Sequence, residues 1–149
     1  TPPPVQRRGV RVSGAPNELE QMSSDNPLLP TRPELEILKL LWRRKQLSAR
    51  QIADEISAPL DWSYSTLRTV LERMVEKGFL KRREGESVNQ YAAGVGKVAL
   101  LSRLIEDFSG RVLELDSAPP AVTFAKSKLL TRNEIEELER TLRKEETQS

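Results

Sequence analysis

Apolar residues recur three or four positions apart from about residue 31 onward, which is the spacing of an amphipathic helix. Thr31, followed three residues later by Glu34, is typical of a helix start, and the stripe behind it predicts a first helix that ends near Lys45. A second pair of this kind, Ser48 and Gln51, predicts a short helix over residues 48–57, which stops before Pro59. The pattern thus predicts two helices in close succession.

A third helix is predicted from Ser63, its N-cap, to Lys77, because Gly78 supplies the left-handed residue that commonly ends a helix. Its core face repeats at helical spacing and consists of Leu67, Val70, Leu71, Met74 and Val75. Residues 79–92 are then typical of a β-hairpin with a turn at Gly85. Three helices followed by a hairpin is the order of a winged helix.

Helical spacing returns after Gly94, is interrupted at Gly110, and resumes in a last helix that begins at Thr131. These helices have an apolar stripe but no sheet or second layer of their own to bury it, so we expect a second copy of the chain to cover it. The expected dimerisation residues are Leu101, Leu104, Ile105, Phe108, Val112, Leu115, Ile135, Leu138 and Leu142. The alternative is a helical cap on the winged helix of the same chain.

Residues 1–29 are rich in Pro, Gly, Ser and Asn and show no helical or strand period, which predicts a disordered N-terminal arm. An alternative interpretation is a basic finger that enters a minor groove through Arg7, Arg8 and Arg11. Three acidic residues in the same segment cancel that positive charge. The pattern therefore favours a plain disordered tail.

The composition excludes several kinds of chemistry, because the chain has no cysteine and no histidine. Disulfides, Cys/His zinc sites and thiol or imidazole catalysis all need one of these residues. We therefore expect no enzyme, no catalytic residues, no metal site and no cofactor. A hydrolase that uses Glu72 and Glu76 as paired carboxylates is disfavoured, because no pocket-forming residues lie near them in the sequence. The apolar runs are too short to span a membrane, so we expect a cytoplasmic protein with no membrane partner.

Positive charge is concentrated in residues 31–95, which carry 12 basic and nine acidic residues. The outward face of the third helix begins with hydroxyl side chains and Arg68, which can fork onto a guanine in the major groove. The basic hairpin suits contact with a phosphate backbone. The expected DNA-binding residues are Arg50, Ser63, Tyr64, Ser65, Thr66, Arg68, Thr69, Arg73, Lys81, Arg82 and Arg83. A winged helix that binds only other proteins is the alternative.

Two stretches, TRPELEILKLLW at 31–42 and WSYSTLRTVLERMVEKGFL at 62–80, resemble the penicillinase-repressor family of BlaI, MecI and CopY. The resemblance implies a homodimeric repressor that binds an inverted-repeat operator, with recognition residues at Ser63, Ser65, Thr66, Arg68 and Thr69. The expected fold is mainly α with a small β-hairpin wing. Its domains are an arm (1–29), a winged helix-turn-helix DNA-binding domain (30–94) and a helical dimerisation domain (95–149).

The sequence departs from the family in two places that bear on regulation. Copper-responsive members carry a cysteine-rich C-terminal motif, which this chain lacks, so copper sensing through thiolates is excluded. Ser102–Arg103 stands where the resemblance places the Asn-Phe bond that is cleaved in antibiotic-resistance repressors. A sensor or protease that relieves repression is a further partner that the resemblance implies, and its signal stays open.

Overall fold

The computed structural model of the protein describes residues 29–148 and divides into two compact units between Gly94 and Val95. The proposed arm at 1–29, with its three arginines, lies outside the described residues apart from its last position. The first unit contains α1 (Arg32–Arg44), β1 (Gln46–Ser48), α2 (Ala49–Leu60), α3 (Tyr64–Lys77), β2 (Leu80–Arg83) and β3 (Gln90–Ala93). This order confirms the predicted winged helix.

Local hydrogen bonds determine where the helices begin and end. Thr31 and Glu34 cap α1 reciprocally, with the Glu34 amide donating to Thr31 Oγ1 at 3.4 Å and the Thr31 amide donating to Glu34 Oε1 at 2.8 Å. Gly78 ends α3 in the left-handed region at φ 87°. The predicted end of the second helix is wrong by three residues, because α2 continues through Pro59 to Leu60. A proline in the last turn removes one donor without ending the helix at once.

The three strands form one antiparallel sheet in the order β1-β3-β2. The hairpin of β2 and β3 was predicted, whereas the three-residue β1, which pairs with β3, was not. Side chains from all three helices and from β3 meet in the core of this unit, where each is at most 1% exposed; they are Ile37, Leu38, Leu41, Ile52, Leu67, Leu71, Met74 and Tyr91. This core holds α3 against the sheet by one face and leaves its other face to solvent.

The second unit contains α4 (Lys97–Asp107), a π-helical turn (Phe108–Val112), a 3-10 turn (Ala121–Phe124) and α5 (Arg132–Gln148). Its core consists of Val98, Ala118, Ala121, Leu138 and Leu142. Leu138 and Leu142 are both 0% exposed in a single chain. The expectation that these two side chains need a second copy to bury them is therefore wrong, because α4 and the loop before α5 cover them.

Candidate nucleic-acid interface

The first turn of α3 presents a group of exposed hydroxyls. Ser63 caps the helix by accepting a hydrogen bond from the Thr66 amide at 3.1 Å, and its Oγ donates to Thr66 Oγ1 at 2.9 Å. One turn on, the Thr69 hydroxyl donates to the Ser65 carbonyl at 3.0 Å. All four side chains are exposed. The helix N-terminus therefore carries short donors and acceptors beside its own free amide groups, an arrangement suited to phosphate and base edges.

Three of the predicted DNA-binding residues meet in a cleft of ≈ 270 Å³ between α2, α3 and the hairpin. The Arg50 guanidinium lies over the Tyr64 ring at 3.9 Å from its centroid, a cation–π contact that fixes the arginine at the edge of the cleft. Arg68 lines the same cleft, together with Ser87 and Asn89 of the hairpin loop. No described carboxylate lines it. The cleft is therefore polar and cationic. Ser87 and Asn89 are not among the residues predicted from the sequence, because a loop has no periodic pattern.

The cations of β2 divide between the two faces of the sheet. Successive side chains of a strand point to opposite faces, so Arg82 shares the face of buried Leu80, while Lys81 and Arg83 lie on the other face. Arg82 accordingly forms an ion pair with Glu72 of α3. Lys81 and Arg83 are exposed and form no ion pair with another described residue. Of the three predicted wing cations, Lys81 and Arg83 are thus unpaired among the described residues, and Arg82 is neutralised by Glu72.

Arg73 lies further along α3, away from the cleft-lining residues. It is exposed, and it forms no hydrogen bond or ion pair within residues 29–148. The structure therefore leaves this predicted DNA-binding residue accessible but does not bring it into the cleft.

Glu72 is half-buried, although helical periodicity places it on the side of α3 opposite the core residue Leu67. The Tyr91 hydroxyl donates to Glu72 Oε2 at 2.5 Å, and Arg82 donates to Oε1. These contacts, that of Tyr91 above all, lower the pKa of Glu72. Burial, and then the bond to Glu72, raise the pKa of Tyr91 to about 12. The alternation of β2 and β3 is the sequence signal that places Arg82 and Tyr91 on one face.

Tyr91 is expected to make the fold less stable as the pH rises above about 10. Below that pH the hydroxyl is protonated in both states, whereas above it the unfolded chain loses the proton first, until the folded group titrates at about 12. Denaturant unfolding at a series of pH values measures this loss. In Tyr91→Phe the free energy of unfolding should fall less steeply across this range, and equal slopes for the two proteins would contradict the assignment.

The two carboxylates of α3, Glu72 and Glu76, lie in different surroundings. Glu72 is engaged by Tyr91 and Arg82, whereas Glu76 is exposed, so the two do not face each other across a pocket. Within residues 29–148, no group of three potential ligands is placed to hold a metal ion. No helix of this part of the chain is long and apolar enough to cross a membrane.

Residues 30–144 match the family model of the penicillinase repressor. The methicillin resistance regulatory protein MecI of Staphylococcus aureus (strain N315) is 31% identical over 111 residues, which cover 74% of this chain and 90% of MecI. The penicillinase repressor of Staphylococcus aureus is 28% identical over 105 residues, which cover 70% of this chain and 83% of that protein. The solved DNA-binding domain of the repressor BlaI aligns at 26% identity and a TM-score of 0.42, covering 46% of this chain and 83% of that domain.

The family match extends from the residue before Thr31 into α5, so it includes both compact units and not the winged helix alone. The relatives are named as regulators and repressors, which confirms the prediction that the protein is not an enzyme. The chain therefore belongs to the penicillinase repressor family of transcriptional repressors.

Proposed function

We propose that the protein is a homodimeric transcriptional repressor that binds an inverted-repeat operator, with α3 in the major groove and the hairpin wing on the phosphate backbone. The observation that carries this proposal is the cleft beside α3, where Arg50 and Arg68 lie exposed with no described carboxylate among the lining residues. A polyanion gains most where cations are unpaired before it binds. DNA binding also accords with the cytoplasmic location expected from the sequence.

The side chains of this surface divide into base-reading and backbone-binding groups. Arg68 has the length and the planar fork to read a guanine, and it forms no ion pair with another described residue. The hydroxyls of the first two turns of α3, from Ser63 to Thr69, and Arg50 at the start of α2 suit phosphate contacts. Arg73 adds a further exposed cation on α3. Phosphate contacts fix the register in which Arg68 then reads the sequence.

The wing is expected to contribute sequence-independent affinity through its two unpaired cations. Arg83→Gln or Lys81→Gln should each reduce the slope of log Kobs against log salt by about 0.9, because each removes one phosphate contact. Anisotropy titrations of a labelled duplex at several salt concentrations measure the slope. Lys126→Gln, an equal charge change at an exposed site in the second unit, is the matched control.

Two outcomes of that titration would contradict the proposal. If Arg83→Gln and Lys126→Gln changed the slope equally, Arg83 of the wing would not contact the phosphate backbone. If the wild-type chain bound neither mixed-sequence duplex nor any selected genomic fragment, the DNA-binding role itself would be wrong, and a winged helix that binds only proteins would be favoured.

Dimerisation is supported by the apolar surface of the second unit. Five of the six large exposed hydrophobic side chains of the described chain lie between residues 108 and 122, and Phe108 is 53% exposed. Two of them, Phe108 and Leu113, line an apolar cavity of ≈ 310 Å³ together with Leu101, Leu104 and Ile105. Apolar surface of this extent commonly marks a protein interface. We therefore retain as interface residues Leu101, Leu104, Ile105, Phe108, Val112, Leu115 and Ile135, which are exposed or half-buried.

Phe108→Ser is expected to convert the dimer to a monomer, because it removes the largest exposed apolar side chain of this surface. Light scattering measures the mass, and circular dichroism checks that the unit stays folded, as expected for a side chain that is 53% exposed. Val88→Ser, at an equally exposed position in the wing, should leave the mass unchanged. A dimeric Phe108→Ser variant would contradict this interface.

The Ser102–Arg103 bond, which stands where the resemblance places the cleaved Asn-Phe bond of antibiotic-resistance repressors, lies within α4. Ser102 is 0% exposed, and its hydroxyl donates to the Ala99 carbonyl at 2.8 Å. A protease needs an extended and accessible segment, so cleavage between Ser102 and Arg103 requires α4 to unfold locally. A protease that relieved repression by cutting this bond would therefore act on an opened form of the second unit.

A further inference from the structure

Glu72 connects the proposed recognition helix to both strands of the wing. Its Oε1 accepts from Arg82 on β2, and its Oε2 accepts from the Tyr91 hydroxyl on β3. Arg82 and Tyr91 are cross-strand partners in the sheet register, so their side chains lie on the same face, towards α3. One carboxylate thus fixes the hairpin relative to the helix.

The same contact removes one cation from the surface offered to DNA. The hydrogen bond from Arg82 and its charge both lower the pKa of Glu72, after the larger effect of Tyr91, and the reciprocal contact raises the pKa of Arg82. Both partners are therefore charged across the physiological pH range, and they neutralise each other. A cation that is already paired in the free protein neutralises little phosphate charge, so it releases few of the counterions condensed on DNA. Lys81 and Arg83 remain unpaired among the described residues.

We propose that Glu72 is a positioning residue of the DNA-binding surface, which keeps Arg82 paired on the α3 side of the sheet so that the wing offers Lys81 and Arg83 to the backbone. This rests on the proposed function, since it assumes that the wing lies on DNA. An unpaired cation near the backbone attracts every sequence alike. Glu72 therefore limits binding to non-operator DNA and raises the ratio of operator binding to binding elsewhere.

Glu72→Gln tests the proposal, because it keeps the shape of the side chain and one accepting oxygen but removes the charge that neutralises Arg82. Binding to a fluorescein-labelled duplex of mixed sequence should tighten, and the slope of log Kobs against log salt should steepen by about 0.9, the contribution of one phosphate contact. Over an about fourfold rise in salt, the advantage of the variant over the wild type should then fall about 3.5-fold. Anisotropy titrations measure both quantities.

Three further variants separate positioning from general charge and from stability. Glu76→Gln removes the same charge one turn along α3, at an exposed residue without an ion pair to any described side chain, and should leave the slope near that of the wild type. Arg82→Gln alone should also leave the slope unchanged, because Arg82 is already neutralised. The double variant Glu72→Gln/Arg82→Gln should return the slope to the wild-type value.

Equal slopes for Glu72→Gln and Glu76→Gln overturn the proposal, and so does an Arg82→Gln slope lower than wild type by about 0.9. The second result decides the question even if Glu72→Gln does not fold, since Arg82 has an exposed side chain. If the wild type fails to bind the duplex, the proposed function and this inference fail together. If the wild type binds while the variant slopes disagree, the inference alone fails.

Discussion

Arg68→Ala is expected to weaken operator binding by about 1–3 kcal/mol and to relax discrimination at one base pair, because a bidentate arginine–guanine contact is lost. Arg68 is exposed, lines the cationic cleft and forms no ion pair with a described residue, so its loss should not unfold the domain. The operator is first recovered by selecting bound fragments from the source genome. Competition binding against single base-pair variants of that operator then measures the discrimination.

The matched control is Arg132→Ala, which removes an exposed arginine at the start of α5. It should leave discrimination unchanged. If Arg68→Ala instead weakened all duplexes equally and lowered the salt slope by about one, Arg68 would be a phosphate contact and not a base contact. That result would contradict the base-reading role while leaving α3 at the DNA.

Leu138→Ala is expected to destabilise the second unit by about 2–5 kcal/mol, because it leaves a cavity in a closely packed core. Leu138 is 0% exposed and packs with Val98, Ala118 and Ala121. Denaturant unfolding followed by circular dichroism measures the loss. Both tryptophans lie in the first unit, so their fluorescence separately reports the unfolding of the winged helix.

Val122→Ala is the matched control, since this side chain is 70% exposed and its truncation should change stability by less than about 0.5 kcal/mol. The comparison with Phe108→Ser separates the two roles of the second unit. Phe108→Ser should yield a folded monomer, whereas Leu138→Ala should lose helical signal at lower denaturant concentration. A stable, folded monomer from Leu138→Ala would show that this side chain serves the interface after all.

The helix starts were predictable because their signals are local. Thr31 with Glu34, Ser48 with Gln51 and Ser63 with the Thr66 amide all act within one helical turn, and the structure confirms each of these caps. The strand β1 was missed because three residues have no period of their own. It forms only because β3 offers an unpaired edge to Gln46–Ser48, which is a long-range contact.

The candidate site was predictable in part for the same reason. Helical periodicity identified the outward hydroxyls and Arg68 on α3, since their spacing is a property of one helix. It placed Glu72 on the exposed face as well, whereas the wing folds back over that carboxylate and supplies Arg82 and Tyr91. The loop residues Ser87 and Asn89 carry no periodic signal, and the hairpin alone brings them to the cleft.

The amino-acid sequence on its own determined the winged helix, through its capping pairs and the order of helices and hairpin. It also excluded thiol and imidazole chemistry, because it contains no cysteine and no histidine. The tertiary structure alone decided which cations are free. Ion pairing depends on which side chains meet, and Glu72 and Arg82 meet because a helix face and a strand face pack together. It likewise decided that Leu138 and Leu142 belong to the core of their own chain, since burial depends on neighbours that lie far apart in the sequence.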